Sequence, residues 1–230
     1  MTGEIVVIDR RFRGPLDSGH GGYTCGLLAR EIPGAATVSL HVPPPLERQL
    51  TLELVGDGLI LLCDGEVIVA DARPATLVFD PPPAVALSDA QNAALGTGPA
   101  RHPFPMCFGC GPEREPGDGL RLFPGPVDGR NVIACPWRPD MALADENGRV
   151  RTEFVWAALD FRPAGLASAP DTRSCLGNSP AGSRGRSTRA SSTSSPRGAS
   201  AATDASNILA ARSQQVTASC SPDRRRCGSN

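Results

Sequence analysis

Residues 20–32 read HGGYTCGLLAREI, and this stretch predicts the central helix of the N-terminal half. Good helix formers follow the two glycines, and both Tyr23 and Leu27 and Thr24 and Leu28 are four residues apart, the spacing of one helical turn. The Pro-Gly pair at 33–34 predicts the end of the helix. Asp17 and Ser18 are the predicted N-cap residues, because their side-chain oxygens can accept from the free amides of a first turn.

Short runs of alternating apolar and polar residues follow this helix and predict strands. The run from Glu4 to Asp9, which precedes the helix, is rich in β-branched residues and also predicts a strand. Alternation with a period of two indicates strands that bury one face. GDG at 56–58 and DG at 64–65 predict tight hairpin turns and therefore antiparallel pairing. Residues 1–80 are thus predicted to form an α+β unit. The alternating runs after the helix are 38–42, 50–54, 59–63, 66–73 and 76–79.

The order of a strand followed by a helix recurs in the second half of the chain. Residues 81–105 are rich in Pro and Ala and predict a linker, with a turn or two of helix inside it. LRLF at 120–123 and NVIACPW at 131–137 predict two strands, and EFVWAALD predicts a helix from about Thr152. This recurrence suggests two copies of one unit. The second copy, residues 106–168, lacks the four strands that should follow its helix.

The composition changes near residue 160. Residues 1–160 contain 13 arginines and 21 acidic residues, a net charge of −8 that does not indicate a nucleic-acid surface. From Phe161 onward, 10 arginines face three aspartates, serine is frequent and no further aromatic residue occurs. Such a segment has too little apolar surface to offset its chain entropy. Residues 169–230 are therefore predicted to be a disordered, Ser/Arg-rich tail.

Two interpretations of this tail remain open. A basic disordered tail can bind nucleic acid by neutralising phosphates, but this one lacks interleaved aromatic residues, so nucleic acid is not an expected partner. The other interpretation is a reading-frame shift near codon 160, because out-of-frame codons of a GC-rich gene supply Ser, Arg, Ala, Pro, Thr and Gly. The protein as written is then expected to be poorly soluble and inactive or impaired. Its last helix should expose Phe154, Val155 and Trp156.

The absence of lysine and of long apolar runs narrows the function classes. Every basic residue is Arg, so lysine Schiff-base chemistry is excluded. The first residues do not show the pattern of a secretion signal, and no apolar run approaches the ~18 residues of a membrane span. We therefore expect a cytoplasmic protein without membrane partners, and its eight cysteines should be mostly reduced.

His20, Gly21 and Gly22 mark the start of the predicted central helix and suggest a site for negative charge. The glycines leave backbone amides unobstructed, and the helix dipole favours negative charge there. A developing oxyanion could be held in this way. The alternative is a glycine turn that leads into a helix, with a histidine on the surface.

The run HGGYTCGLLA at 20–29 resembles the HGG-then-helix element of phenylacetate-pathway-type acyl-CoA thioesterases. GGY followed by aliphatic residues also resembles the tandem, double-hotdog thioesterase-like proteins. CFGCGPEREPGDGLRLF at 107–123 is similar to a segment that precedes the first strand in members of that superfamily. The resemblance covers about residues 10–165. It implies a hotdog fold, in which an antiparallel sheet wraps around a central helix, with an incomplete second unit.

The resemblance also implies a catalytic carboxylate eight residues after the histidine, which acts as general base or nucleophile. That position is a leucine in the first unit, whereas aligning Thr152 with the histidine puts Asp160 there in the second unit. The two helices of a double hotdog lie antiparallel at the unit interface. The family therefore implies one composite site, in which the HGG segment at 20–22 polarises the carbonyl and Asp160 activates water. A solvated or capping acid is the alternative role of Asp160.

Three further residues near these positions are candidate ligand-binding residues. Asp17 precedes the HGG segment, Tyr23 follows it, and Glu153 takes a glycine position in the second unit. Tyr23 is the only tyrosine, and its simplest role is packing on the helix face.

Cys107 and Cys110 are separated by two residues, a spacing that suits half of a tetrahedral zinc site. His102 and Cys135 are the nearest additional ligands, and no second pair stands at a usable spacing. A packed, reduced pair in a turn is therefore the favoured interpretation. We expect neither a metal nor a cofactor.

The resemblance implies a thioesterase-like protein that hydrolyses or binds an acyl-CoA-type small molecule, and it leaves open whether the protein is an enzyme. One alternative is a non-catalytic acyl- or CoA-binding module. Another is an interaction protein whose basic tail binds nucleic acid. Pairing of hotdog units could also give self-association.

Overall fold

The computed structural model of the chain describes residues 3–76, 84–95 and 102–160, and the backbone of Asn207–Arg212. Its larger sheet has five antiparallel strands in the order β1-β3-β4-β5-β2. The α+β class and the order of one strand, one helix and four strands are confirmed. The last predicted run, 76–79, lies almost entirely outside the described residues. The strands are β1 (Glu4–Val7), β2 (Ala36–Leu40), β3 (Gln49–Val55), β4 (Leu59–Asp64) and β5 (Val67–Pro74).

The register of this sheet follows the apolar alternation. Leu52 of β3 pairs with Leu62 of β4, and both side chains are buried on the same face. The predicted turn at 56–58 joins these two strands. Its Gly58 has a φ of +77°, which glycine adopts without steric cost. Both predicted hairpins are therefore confirmed, the second at the turn between β4 and β5.

Helix α1 (Gly21–Ala29) contacts β2, β4 and β5 of this sheet. Every residue of the helix except the first is buried. The predicted N-cap residues Asp17 and Ser18 are wrong. His20 is the N-cap, because its Nδ1 accepts from the Tyr23 amide at 3.3 Å. An imidazole nitrogen thus replaces the oxygen of a usual cap.

The second half of the chain adds a smaller antiparallel sheet and a helix. The sheet contains β6 (Gly125–Pro126), β7 (Val132–Trp137) and β8 (Asn207–Arg212) in that order, and β7 confirms the strand predicted at 131–137. Helix α2 (Leu87–Leu95) packs on β7, so the predicted linker contains a nine-residue helix. A small separate core joins these elements. It consists of Val85, Ala90, Ala93, Val127, Val132 and Ala134.

The strand predicted at 120–123 is wrong. Arg121 has a φ of +49°, which interrupts the extended backbone that a strand needs. The amide of Leu120 donates to the Phe108 carbonyl at 2.8 Å, and that of Leu122 donates to the Gly109 carbonyl at 2.9 Å. The segment therefore folds back onto the Cys107–Cys110 turn and helps to fix its position.

Helix α3 (Thr152–Leu159) confirms the predicted second helix and packs against α1. The start of α1 lies beside the end of α3, and Gly26 lies beside Glu153, so the two helices run antiparallel. Phe154 and Trp156 are 2% and 3% exposed. The prediction that these two side chains would be exposed is wrong, because α1 covers the helix that the missing strands would have covered.

The predicted disordered tail, residues 169–230, lies outside the described residues except for Asn207–Arg212. The backbone of that segment pairs with β7, from Val132 opposite Arg212 to Trp137 opposite Asn207. Within the part of the chain that the structure describes, no helix combines the length and the apolar character needed to cross a membrane.

Candidate functional site

The first amides of α1 meet the last residue after α3 at one point. The Gly22 amide donates to Asp160 Oδ2 at 2.6 Å, and His20 Nδ1 lies 3.8 Å from the same oxygen. His20, Gly22 and Asp160 come from positions up to 140 residues apart in the sequence numbering. The residues of the predicted composite site therefore lie together, with Gly21 at the first position of the helix.

Asp160 is held by the dipole of the neighbouring helix and not by its own. It caps the C-terminus of α3, where a negative charge costs about 0.3–1 kcal/mol. A hydrogen bond from an amide to a charged group contributes about 1.5–3 kcal/mol, and the N-terminus of α1 adds a favourable dipole. The bond to Gly22 therefore outweighs the cost. The Asp160 side chain keeps 18% of its surface exposed, so a ligand can reach it.

Two glycines allow the helices to approach closely enough for this contact. A Cβ added to Gly22 would lie 2.5 Å from both Asp160 Cβ and the Trp156 carbonyl oxygen. A Cβ added to Gly26 would lie 2.3 Å from Glu153 Cα. Both distances are shorter than atoms can tolerate. Gly22 is therefore required for packing as well as for its amide.

His20 is buried between Asp160 and the Cys107–Cys110 turn. Since Nδ1 accepts the Tyr23 amide, the neutral ring carries its proton on Nε2, and this nitrogen faces Gly109. The imidazole also forms a hydrogen bond with the Cys107 side chain. Burial lowers the pKa of His20, whereas the hydrogen bond to Cys107 and the charge of Asp160 raise it. The net direction is upward from 6.5. The imidazole thus connects two acidic groups.

Cys107 and Cys110 form the packed pair in a turn that the sequence favoured, and both are free thiols. The Cys110 thiol donates to Cys107 Sγ across 3.3 Å. This hydrogen bond and the bond with His20 lower the pKa of Cys107. The same interaction, together with burial, raises the pKa of Cys110. These directions favour the thiolate at Cys107, with the Cys110 thiol as its hydrogen-bond donor.

The turn that carries these cysteines is fixed on several sides. The Phe108 amide donates to the Arg13 carbonyl at 2.8 Å, and the Phe108 ring is fully buried. Arg114 is 3% exposed, and its Nε donates to the Met106 carbonyl at 2.9 Å. A Cβ on Gly111 would lie 2.5 Å from the backbone of Cys107. The position of the Cys107 sulfur is therefore set by the fold.

The three other predicted ligand-binding residues do not lie in this site. The exposed Asp17 faces Arg10 at 3.9 Å. Tyr23 stacks on Phe12 with ring centroids 4.1 Å apart, and burial raises its pKa to about 12. Glu153 is buried at the opposite end of α3 from Asp160 and pairs with Arg151 at 3.6 Å. The packing role suggested for Tyr23 is the one the structure shows.

Within the described part of the chain, the cysteine pair does not belong to a group of ligands suited to zinc. Among the described residues, no group of three or more His, Cys, Asp or Glu side chains is placed to hold a metal ion. Cys135 is buried in β7, where burial raises its pKa to about 11. His102 is engaged with the Phe104 backbone. The two additional ligands considered from the sequence therefore do not complete the pair.

Sequence reasoning missed Cys107 as a member of the site. The signal was present in the C-x-x-C-G turn and in the charged residues that follow it. What the sequence does not contain is the contact with His20, which lies in another element of the fold.

Comparisons with protein families, with curated proteins and with solved structures found no match for this chain.

Proposed function

We propose that the protein is a hotdog-type, thioesterase-like protein that binds and hydrolyses acyl thioesters at the junction of α1 and α3. The observation that carries the proposal is the 2.6 Å contact between the Gly22 amide and the Asp160 carboxylate. In the proposal, Asp160 is the general base, and this contact supports it because an amide donor at a helix N-terminus lies next to the carboxylate. Acyl transfer needs both groups at one carbonyl.

The reaction would use these residues in one hydrolytic step. Asp160 accepts a proton from a water molecule whose oxygen attacks the thioester carbonyl carbon. Amides at the start of α1 stabilise the oxyanion that forms on the carbonyl oxygen. The C–S bond then breaks, and the leaving thiolate takes the proton back from Asp160. The products are a carboxylic acid and a thiol.

Substrate binding requires a change of partner at Gly22, because Asp160 already accepts its amide hydrogen. The Gly21 amide stands at the first helical position, where no intrahelical acceptor exists. The carbonyl oxygen can therefore bind the Gly21 amide, or it can displace Asp160 from Gly22. Displacement would release the carboxylate from the Gly22 amide, and the carboxylate could then accept from water.

The fold supports the hotdog assignment by the order of its elements. A strand, a buried helix and four antiparallel strands form one unit, and the second helix lies antiparallel to the first. These are the features that the resemblance of the 20–29 run implies. The small sheet of β6, β7 and β8 would be the remainder of a second unit.

A non-catalytic acyl- or CoA-binding module is the second candidate. The observation that favours it is the occupied Gly22 amide, since a carboxylate held there neutralises the positive end of α1. Such an arrangement can bind a ligand without polarising its carbonyl. The predicted impairment of the chain as written also agrees with this candidate.

Incubation with a panel of acyl-CoAs tests the proposal. Released CoA is measured with a thiol reagent against a blank that contains the protein alone, because the chain has its own free cysteines. Ligand binding is measured in parallel by calorimetry. Hydrolysis of a panel member supports the enzyme, and binding without CoA release supports the module. If no panel member is bound or hydrolysed, the acyl-thioester proposal is wrong.

A further inference from the structure

The Cys107–Cys110 pair has no part in the hydrolytic step proposed above. Its two sulfur atoms are 3.3 Å apart, and both cysteines are free thiols. A disulfide bond is about 2 Å long, so small rotations of the two side chains bring the sulfur atoms to bonding distance. The pair is therefore close to the geometry of its own oxidation product.

The environment of the pair distinguishes the two sulfur atoms. Cys107 Sγ accepts from the Cys110 thiol and also interacts with His20. Hydrogen bonds to the charged form favour it, so the pKa of Cys107 is lowered while that of Cys110 is raised. Thiolates are the reactive form of cysteine. Cys107 therefore has the character of an attacking sulfur and Cys110 that of a resolving thiol.

The exposure of the pair limits the size of a reaction partner. Cys107 is 5% exposed, and Cys110 is partly exposed at the surface of the turn. An external oxidant that carries a disulfide would have to insert its own bulky groups into this packed turn. A peroxide is small enough to approach the sulfur with little movement of the protein.

We infer that Cys107 and Cys110 form a redox-active dithiol that hydrogen peroxide converts to an intramolecular disulfide. The Cys107 thiolate attacks one peroxide oxygen, the O–O bond breaks, and hydroxide leaves, which makes Cys107 a sulfenic acid. The Cys110 sulfur then attacks Cys107 Sγ and loses its proton. The S–S bond forms as hydroxide leaves and takes up that proton as water. Two electrons pass from the dithiol to the peroxide.

Oxidation also changes the charge next to the helix junction. The disulfide removes the Cys107 thiolate, which is one of the two groups that raise the pKa of His20. His20 Nδ1 lies 3.8 Å from Asp160 Oδ2. The redox state of the pair therefore alters the protonation of the residue that adjoins the carboxylate.

Peptide mapping of the full chain after peroxide treatment tests the inference directly. Trypsin cleaves after Arg101 and Arg114, so residues 102–114 form one peptide that contains Cys107 and Cys110 and no other cysteine. The protein is reduced, treated with hydrogen peroxide for increasing times, alkylated under denaturing conditions and digested. We expect this peptide to lose two hydrogen atoms and both alkylation sites at least tenfold faster than Cys135 loses its site.

Two variants and an internal standard complete the experiment. Cys110→Ser should stop at a Cys107 sulfenic acid that a dimedone reagent captures, whereas Cys107→Ser should leave Cys110 reacting no faster than Cys135. Oxidation of Met106, in the same peptide, reports non-specific damage. The inference is overturned if the wild-type peptide reacts at the rate of Cys135, or if Cys110 reacts first. Because the decisive rate comes from the wild-type chain, it does not depend on the folding of a variant.

Discussion

His20 occupies the position between the Asp160 carboxylate and the Cys107 sulfur, and its two ring nitrogens face different groups. The bond from the Tyr23 amide to Nδ1 is long, at 3.3 Å. Protonation of Nδ1 would exchange this weak bond for donation toward Asp160. The side chain can thus respond to the charge on either neighbour.

Asp160→Asn should abolish hydrolysis while sparing binding. The amide oxygen of asparagine can still accept from Gly22, so the helix junction is retained, but it cannot accept the proton of water. We expect kcat to fall about 100-fold or more with KM little changed. The assay uses an acyl-CoA substrate and the protein made from the gene after the proposed reading-frame shift near codon 160 has been corrected.

Asp128→Asn is the matched control for this substitution. Asp128 is exposed in the turn between β6 and β7, next to Val127 of the small separate core, and its loss should leave kcat unchanged. An equal loss of binding and turnover in Asp160→Asn would instead assign Asp160 a purely structural role.

The raised pKa of His20 predicts a pH dependence of stability. Burial opposes the shift, but Cys107 and Asp160 bring the folded pKa above the unfolded value of 6.5. The resulting stabilisation is fully present below 6.5 and is lost as the pH rises through the folded pKa. His20→Gln should therefore lower the free energy of unfolding more at pH 6 than at pH 8, as measured by urea denaturation.

The titration of His20 by NMR gives an independent measurement of the same quantity. The His20→Gln variant assigns the signal. Replacing Cys107 by Ser should shift the midpoint of the titration downward, because it removes a group that raises this pKa. A midpoint that does not move would contradict the contact between the two side chains.

Helices α1 and α3 form the contact that joins the two halves of the described chain. An alanine at Gly26 would place its Cβ 2.3 Å from Glu153 Cα, a backbone atom that cannot rotate away. Overpacking of this kind costs about 1–3 kcal/mol. We expect Gly26→Ala to lower the free energy of unfolding by about 2 kcal/mol or more.

Gly14→Ala provides the comparison for Gly26→Ala. The nearest atom to an added Cβ there is 3.3 Å away, so the substitution should destabilise the protein much less. Both variants are measured by thermal denaturation under identical conditions. Equal effects would show that the approach of the helices is not the limiting contact.

The elements that the sequence predicts well are those with a local signature. Alternation identified β2 to β5, a β-branched run identified β1, and glycine turns identified both hairpins, because each pattern lies within a few residues. The segment at 120–123 alternates too, yet it is not a strand. Its amides are satisfied by the Cys107–Cys110 turn, a tertiary contact that overrides the local preference.

The same limit applies to the site. Gly21 and Gly22 could be named because a helix start has a recognisable sequence, whereas Asp160 could be named only because the family resemblance implies a carboxylate at that position. Glu153 has an equally acidic side chain at the other end of α3, and nothing in the sequence indicates that it packs beside Gly26. Cys107 could not be joined to His20, since 87 residues of chain separate them in the numbering.

In the residues that the structure describes, one main core is shared between the two halves of the chain. Val6, Leu50 and Leu62 belong to the same buried cluster as Phe108 and Phe154. The first 80 residues are therefore incomplete without α3 and the cysteine turn. A truncation before α3 should leave α1 uncovered on one side.

The reading-frame hypothesis makes a prediction about the gene. Shifting the frame by one nucleotide near codon 160 should give an uninterrupted continuation of about 65 residues, with alternating Val, Leu and Trp strands, acidic residues and a Gly-Asp or Asp-Gly turn. Sequencing the gene and translating the three frames tests it. Stop codons or another Ser/Arg tract in the shifted frames would show that the tail is a genuine extension.

The bond between Gly22 and Asp160 spans 138 residues of sequence, and this separation sets a delay during synthesis on the ribosome. At about 5–20 residues per second, roughly 7–28 s pass between the emergence of α1 and that of its partner helix. For that interval the nascent chain carries an apolar helix with one side unpaired. A chaperone that binds short apolar segments would therefore find α1 as its main target on the growing chain.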